Sequence, residues 1–569
     1  MNKPVYVLGT ALSHDGSSCL MKDGKIVVAI EKERLTRKKH DGFNDNATIK
    51  YCLDAEGIGF EDLDLIVEKS TFNPLKPDDR EKRKGRNIPS DIPIVNISHH
   101  LAHAYSAVGT SPFEDMGVIV IDGQGSSLDN GIDITPDVLP PDIREVKKED
   151  EYLYWENVSY YIFRNGKLTP VHKDFSHWLY AVDREKYPAA SWDMEHSIGE
   201  FYEGVAHYVF NEFNCEGKLM GLAPYGKAGI SLGEPFVYKN GRVFLTNDWW
   251  DKIDPARGGK YRKLKDEFQY YADIAYWAQR NLEKAVKYIF NSYYDMHPMS
   301  NVAYAGGVAL NAVVNGKLYN DTKYDNFYFQ PAAGDNGLSI GCAYYGWLKV
   351  LGNRKIGHNG STYFGIRYSH DEIGKILSEY SDKIEYYQSD DYVEITANYL
   401  ADSKVISWYQ DSSEFGPRAL GHRSILADPR IADMQDHINR NIKFREDFRP
   451  FAPSVLLEDA SKYFEFSHES PYMIIVADVK NEWRSKIPAV VHVDGSARIQ
   501  TVTQKMTPKY YSLIKQFKEK TGVPILLNTS LNVKGMPIVE TPKETIEMFL
   551  LGELDVLVIH DYIVTKKSH

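Results

Sequence analysis

At 569 residues the chain is too long for one ordinary hydrophobic core and predicts at least two domains. Its 43% hydrophobic and 26% charged content is that of a globular protein, and its formal net charge of -12 argues against a general nucleic-acid or anionic-membrane binder. The four cysteines (Cys19, Cys52, Cys215, Cys342) lie far apart with no CxxC, so neither a disulfide framework nor a thiolate zinc site is indicated.

The opening "MNKPVYVLGTALSHDG" has too short an apolar run for a signal peptide, and no later stretch approaches a membrane span, so a cytoplasmic location is expected. "PVYVLGTALSHDGSSCLMKDGKIVVAIEKER" predicts three strands, the last two joined at Asp23-Gly24, a hairpin signal. A helix ("ATIKYCLDAEGI"), a buried strand ("LDLIVE") and a solvated basic loop ("DDREKRKGR") follow. "IPIVNIS" and "GVIVIDGQGSS" read as buried strands on either side of a histidine-bearing helix. A hairpin at "YYIFRNGKLTPV" precedes a long helix whose aromatic stripe, in "DEFQYYADIAYWAQRNLEKAVKYIFNSYY", has core spacing. Two strand-turn-helix units come next, "NVAYAGGVALNAVVNGKL" and "NFYFQPAAGDNGLSIGCAYYGWL". The unpatterned stretch "LGNRKIGHNGSTYFG" places a domain boundary near residue 360. Beyond it, the strands "VISWYQ", "MIIVADV", "PILLNTS" and "DVLVIH" alternate with amphipathic helices, so a second α/β domain is expected, with no tandem repeat in the chain.

In "NISHHLAHAYSAV", His99 and His103 are i and i+4, so a helix projects both imidazoles from one face. Spacing alone leaves two readings open, a pair of metal ligands or two hydrogen-bonded helix histidines. Asp122 ends a strand ahead of Gly123 and Gly125, and Asp335 holds a similar place in "FQPAAGDNG". Gly306 and Gly307 make another strand-to-helix turn, with Asn311 within the helix that follows. Each is an ordinary turn taken singly. Together, His99, His103, Asp122 and Asp335 would make a two-histidine, two-carboxylate set for Fe2+, Mn2+ or Zn2+, leaving positions for a nucleotide phosphate.

The segments "SHDGSSCL", "EKERLTRKKH", "HHLAHA", "DGQG", "GKLMGLAPYG", "AGGVALNAVVNGKL" and "PAAGDNG" resemble the ATP-dependent O-carbamoyltransferase family, whose members include nodulation-factor and antibiotic-biosynthesis enzymes. The resemblance continues in "EFGPRALGHRSILADPR", "NIKFREDFRPFAPSVL", "DGSARIQTV" and "PILLNTSLNVKGMPIVETP", and so covers nearly the whole chain. It implies an α/β fold in two parts. Residues 1–360 would form an actin-like (ASKHA-type) duplicated domain that binds metal and nucleotide, and residues 361–569 a YrdC-like domain that forms carbamoyl adenylate. It also implies that His99, His103, Asp122 and Asp335 are the metal ligands, with iron favoured, and that His14 in "LSHDGSS" is the base. His100 falls outside the ligand set. The turn "HDGSS" departs from the family's alanine-containing version, in the acceptor region.

In the second part, Arg418, Arg423, Lys443, Arg449 and Arg498 stand in short loop-like stretches of an otherwise acidic chain. Guanidinium groups suit phosphate and carboxylate, although any one of these could be a surface ion pair. The resemblance implies that Arg418, Lys443, Arg449, Arg498 and Ser530 hold carbamoyl phosphate and nucleotide groups, with Asn528 and Asn532 flanking Ser530. It also places Lys39 on a phosphate-binding surface, where a solvated helix end is the plainer reading.

The implied substrates are ATP with Mg2+, carbamoyl phosphate and a small-molecule hydroxyl acceptor. Neither nucleic acid nor membrane is an expected partner, and a homodimer is the default expectation. The adenylate would be made in the second domain and passed to the first without release to water. The Tyr- and Trp-rich insert at about residues 135–195 is expected to contribute to the acceptor pocket. Three rival readings are an actin-like small-molecule kinase or ATPase, a threonylcarbamoyl-type transferase acting on tRNA, and a non-catalytic nucleotide-binding scaffold. The first would not need the arginine motifs, the -12 charge opposes the second, and the third gives no reason for His14 beside four metal-type ligands.

Overall fold

The computed structural model describes residues 3–69, 86–177, 197–246, 249, 252–254, 257–258 and 267–567. It falls into two compact units, one of residues 1–27 and 42–359, the other of residues 28–41 and 360–569. The short N-terminal segment 28–41 therefore belongs with the second unit, an exchange that a single boundary near residue 360 leaves out.

β1 (Tyr6–Ala11), β2 (Ser17–Lys22), β3 (Lys25–Glu31, whose last four residues begin segment 28–41), β4 (Leu65–Lys69) and β5 (Ile94–Asn96) form a sheet in the order β3-β2-β1-β4-β5. β1 and β2 run antiparallel, whereas β4 and β5 add in parallel. Next come β6 (Met116–Ile121), β7 (Tyr154–Arg164) and β8 (Lys167–His177), then a separate hairpin of β9 (Phe236–Lys239) and β10 (Arg242–Leu245). With β11 (Asn301–Ala305) and β12 (Asn326–Phe329), strands β6 to β8 make a second sheet in the order β8-β7-β6-β11-β12. Both sheets set hairpin strands on one side of the first strand and parallel crossovers on the other. This is the duplicated α/β arrangement of an actin-like domain, repeated in topology though not in sequence. Asp23-Gly24 and Asn165-Gly166 turn two of the hairpins with positive φ at both residues, as type I′ turns require.

The helix His99–Thr110 is buried along its whole length. At Gly341, in the helix Leu338–Tyr345, a Cβ would stand 1.8 Å from the Ala102 carbonyl oxygen, so only glycine permits this approach. The long helix Phe268–Met296 buries Tyr271, Trp277, Phe290 and Tyr293, which accounts for its aromatic stripe as core. Most of the basic loop lies outside the described residues. Arg86 at its end is not solvated: its guanidinium pairs with Asp45 and Glu68 at 2.7 Å.

The second unit is built on one mixed sheet. Its strands are β13 (Ile384–Gln388), β14 (Ile406–Tyr409), β15 (Arg423–Ala427), β16 (Ala452–Leu456), β17 (Ile475–Asp478), β18 (Ser496–Val502), β19 (Ile525–Ser530), β20 (Val556–Ile559) and β21 (Tyr562–Lys566). They lie in the order β13-β21-β20-β14-β15-β19-β16-β18-β17 around an apolar core that includes Trp408, Leu526 and Val558. Segment 28–41 is fixed to this unit by three arginine bonds. Arg34 donates to the Gly416 carbonyl at 2.8 Å, and Arg37 donates to the Pro537 and Ile538 carbonyls at 2.9 and 2.8 Å. The α/β class holds in both units. Among the described residues no helix is long and apolar enough to cross a membrane.

Candidate functional site

In the first unit the helix His99–Thr110 starts against the loop after β6: the His99 amide donates to Ser126 Oγ at 2.9 Å and the His100 amide to Glu156 Oε2 at 3.3 Å. One face of this helix then carries both His99 and His103, whose Nε2 atoms are 3.1 Å apart. Asp122 follows β6 and Asp335 opens the turn after β12. Asp122 Oδ2 lies 3.0 Å from His99 Nε2 and 3.3 Å from His103 Nε2, and Asp335 Oδ1 lies 3.2 and 3.7 Å from the same atoms. All four ligand atoms fall within 4.8 Å of one another. A divalent ion bonded at about 2.0–2.2 Å spaces its ligands by about 3–3.5 Å, so this donor set fits a transition metal.

The electrostatics agree. Burial disfavours charge on both imidazoles, yet Asp335 and Asp122 overcome it, raising His99 to about 9 and His103 in the same direction. Burial likewise opposes ionisation of the two carboxyls, and the neighbouring histidines hold both well below the usual carboxylate range. Two buried carboxylates thus require two positive charges nearby, which a divalent cation supplies without protonating its own ligands.

His14 Nδ1 is 3.3 Å from Asp335 Oδ2, and its Nε2 is 3.5 Å from Asp15 Oδ2. Desolvation lowers its pKa, but Asp335, Asp15 and Asp122 raise it further, to about 10. Its side chain is 56% exposed and so reachable by a substrate. His100 turns away from the cluster: its Nδ1 is 2.7 Å from Ser159 Oγ, and burial pushes it down to about 3. Behind it Lys173, wholly buried, pairs with Glu156 and with Asp133 at 2.9 Å.

The glycines and Asn311 prove to be occupied. The Gly307 amide donates to Asp122 Oδ1 at 2.9 Å, and Gly306 adopts a φ of +93° where a Cβ would meet the Ile121 carbonyl. At Gly125 a Cβ would collide with Glu156 and His100, so that glycine serves packing. Asn311 caps the helix Ala312–Asp321 and bonds Gln279. Gly123 lies against the helix Ile198–Phe210, where Ser197 Oγ donates to the Gly123 carbonyl at 2.8 Å and to that of Asp122 at 3.3 Å. Of the aromatic insert, residues 178–196 lie outside the described residues, and Tyr160 and Tyr161 on β7 are core.

The second unit carries the opposite charge pattern. Burial lowers Arg418 to about 10, with Arg449 adding repulsion. Arg498 is driven far down by burial and then by Arg418, Arg445 and Arg449, all of them positive. Lys443 is driven down by burial and by Arg445, Arg449 and Lys39. The Nε atoms of Arg418 and Arg498 are buried without a hydrogen-bond partner among the described residues. A group of cations arranged in this way suits an anion. Lys443 Nζ donates to Ser530 and Asn532, at 2.6 Å to the Ser530 carbonyl and 2.6 Å to Asn532 Oδ1. Asn528 spends its amide group on the Ala419 carbonyl, Ser454 and Gln500, and leaves Oδ1 buried without a partner among the described residues.

Two placements differ from the sequence reading. Lys39 sits in segment 28–41, so its charge acts in the second unit. Arg423 is not brought into the cation group: it donates to the carbonyls of Gln410, His422 and Asp411 and lies 3.5 Å over the Tyr409 ring, holding the fold. Arg445, which the sequence reading did not single out, joins the cations, and its Nε bonds Asn439 Oδ1 at 2.7 Å. Glu414 was missed as well. Its Oε1 accepts the amides of Leu420, His422 and Arg423 and so shapes the loop that carries Arg418.

Two family models match the chain, Carbamoyltransferase N-terminus over residues 6–77 and 153–344 and Carbamoyltransferase C-terminus over residues 397–566. An uncharacterized protein of Synechocystis sp. is 34% identical, the match covering 99% of this chain and 97% of that protein. The nodulation protein NolNO of Sinorhizobium fredii is 32% identical, over 99% of this chain and 80% of its own. A solved structure of HypF from T. kodakarensis is a distant likeness, 15% identical over 62% of this chain and 49% of its own, with a TM-score of 0.38.

Proposed function

The chain belongs to the carbamoyltransferase family, and from that premise we propose that it is an ATP-dependent O-carbamoyltransferase acting on a small-molecule hydroxyl. The observation that carries this reading is the presence of a cation group suited to an anion in the second unit and of a His/Asp cluster suited to a metal in the first. Water cleaves carbamoyl phosphate in the second unit, releasing phosphate. An oxygen of the resulting carbamate attacks the α-phosphorus of ATP, and pyrophosphate leaves, giving carbamoyl adenylate. Arg418, Lys443, Arg445, Arg449 and Arg498 hold the phosphates and offset charge as it develops. The unpartnered Asn528 Oδ1 accepts a hydrogen bond from the carbamoyl NH2.

The adenylate is consumed in the first unit, where the acceptor oxygen attacks the carbamoyl carbon and AMP leaves. His14 takes the hydroxyl proton as a neutral imidazole, with Asp335 orienting its Nδ1; a divalent ion on Asp335 and Asp122 would favour that form by offsetting the carboxylate charge that raises the His14 pKa. His99, His103, Asp122 and Asp335 would hold a divalent ion, Fe2+ in this proposal, whose chemistry is Lewis-acid polarisation of the carbonyl. Mg2+ accompanies ATP.

Pyrophosphate release from ATP, measured without acceptor and with or without carbamoyl phosphate, tests the reading. Release that requires carbamoyl phosphate is expected. ATP turnover indifferent to it, or yielding ADP, would replace the proposal with a kinase.

A further inference from the structure

We propose that Phe444 is the platform on which the purine ring of ATP stacks in the second unit, an inference that rests on the adenylation reading above. Phe444 stands between Lys443 and Arg445 with φ +49°, a left-handed conformation that is a genuine outlier for a bulky residue. Its neighbours fix that turn. The Lys443 amide donates to the Ile438 carbonyl at 2.8 Å, the Arg445 amide donates to the Asn439 carbonyl at 3.0 Å, and the Lys443 carbonyl accepts from the Lys534 amide at 3.2 Å. The kink turns Lys443 inward, 3% exposed, and leaves Phe444 56% exposed.

The same loop buries its other phenylalanines, Phe448 at 5% and Phe451 at 3% exposure, the latter beneath the Arg445 guanidinium at 4.6 Å. Phe444 alone loses on both counts, since glycine or asparagine would hold a left-handed turn with less strain and no apolar exposure. Stability therefore does not account for a phenylalanine here; a ligand does. The loop offers one flat apolar ring, between Lys443 and Arg445 in sequence, in the stretch that also carries Arg449. A nucleoside triphosphate presents the complement, a flat heterocycle joined to an anionic chain.

The test uses the full-length protein and carbamoyl phosphate-dependent pyrophosphate release without acceptor. Phe444→Ala and Phe444→Gly should each raise the KM for ATP about 10-fold, leave the KM for carbamoyl phosphate within about twofold, and be rescued by Phe444→Tyr. Phe444→Gly relieves the backbone strain, so an unchanged or higher Tm together with a raised KM separates lost stacking from a damaged fold. Inorganic tripolyphosphate, which has no base, should inhibit wild type and Phe444→Ala equally. A wild-type KM for ATP in Phe444→Ala, or an equal loss of ATP and tripolyphosphate affinity, overturns the inference. Wild-type protein that releases no pyrophosphate defeats the adenylation reading instead. Equilibrium binding of a non-hydrolysable ATP analogue to wild type and Phe444→Ala then decides the stacking claim by itself, equal affinities overturning it.

Discussion

The two units solve opposite electrostatic problems. The first buries two carboxylates, Asp122 and Asp335, against two imidazoles, and so calls for a cation. The second gathers Arg418, Lys443, Arg445, Arg449 and Arg498 where their charges depress one another, and so calls for an anion. The supporting structure differs too. Behind the acidic site lie a buried ion group, Lys173 with Glu156 and Asp133, and the Ser197 cap. Around the basic site, the backbone is shaped by Glu414 and Arg34 and Lys443 is held by Ser530 and Asn532, whereas Arg418 and Arg498 each keep a buried Nε with no partner among the described residues. The first arrangement suits an ion held between carboxylates, whereas the second leaves donors of Arg418 and Arg498 for an anion.

Removing one side of this contrast at a time should leave the other intact. The largest effect is expected from His14→Asn: carbamoyl transfer should fall by about 10²–10⁴-fold, with metal content by elemental analysis and pyrophosphate release both preserved. Joint loss of transfer and pyrophosphate release would remove His14 from the first unit's chemistry. Next, Lys173→Met leaves two buried carboxylates unpaired and should cost about 3–5 kcal/mol in urea unfolding, with metal retention weakened; an unaltered midpoint would mean that this ion group contributes nothing to the site. Arg498→Ala should lower carbamoyl phosphate-dependent pyrophosphate release by about 10²–10³-fold with metal content unchanged. The smallest effect is Ser197→Ala, about 1 kcal/mol for the lost cap, with weaker metal retention because Ser197 also bonds the carbonyls of Asp122 and Gly123. Ser197→Thr should restore both readouts, and a metal affinity untouched by Ser197→Ala would make the cap purely structural.

Local periodicity carried much of the fold. The hairpin at Asp23-Gly24 and the i, i+4 histidines are written in adjacent residues, because turn chemistry and helical pitch act over a few positions. The carboxylates at strand ends were legible for the same reason. What escaped depends on distant contacts. Nothing near residues 28–41 indicates that Arg34 will find the Gly416 carbonyl 382 positions away, so the exchange of that segment, and the true surroundings of Lys39, are invisible in sequence. Arg423 and Arg498 look alike in loop-like motifs, yet one is bonded by carbonyls while the other keeps a buried Nε with no partner among the described residues. Residue type gave the chemistry of each arginine, and only three-dimensional packing assigns its use.

In the proposed scheme, adenylate formation belongs to the second unit and needs none of the first unit's metal chemistry. The most direct measurement is carbamoyl phosphate-dependent pyrophosphate release by Asp335→Asn, beside its carbamoyl transfer and metal content. Release at the wild-type rate, with metal and transfer lost, is the predicted result. Loss of pyrophosphate release along with the metal would overturn this division and place both half-reactions at one centre.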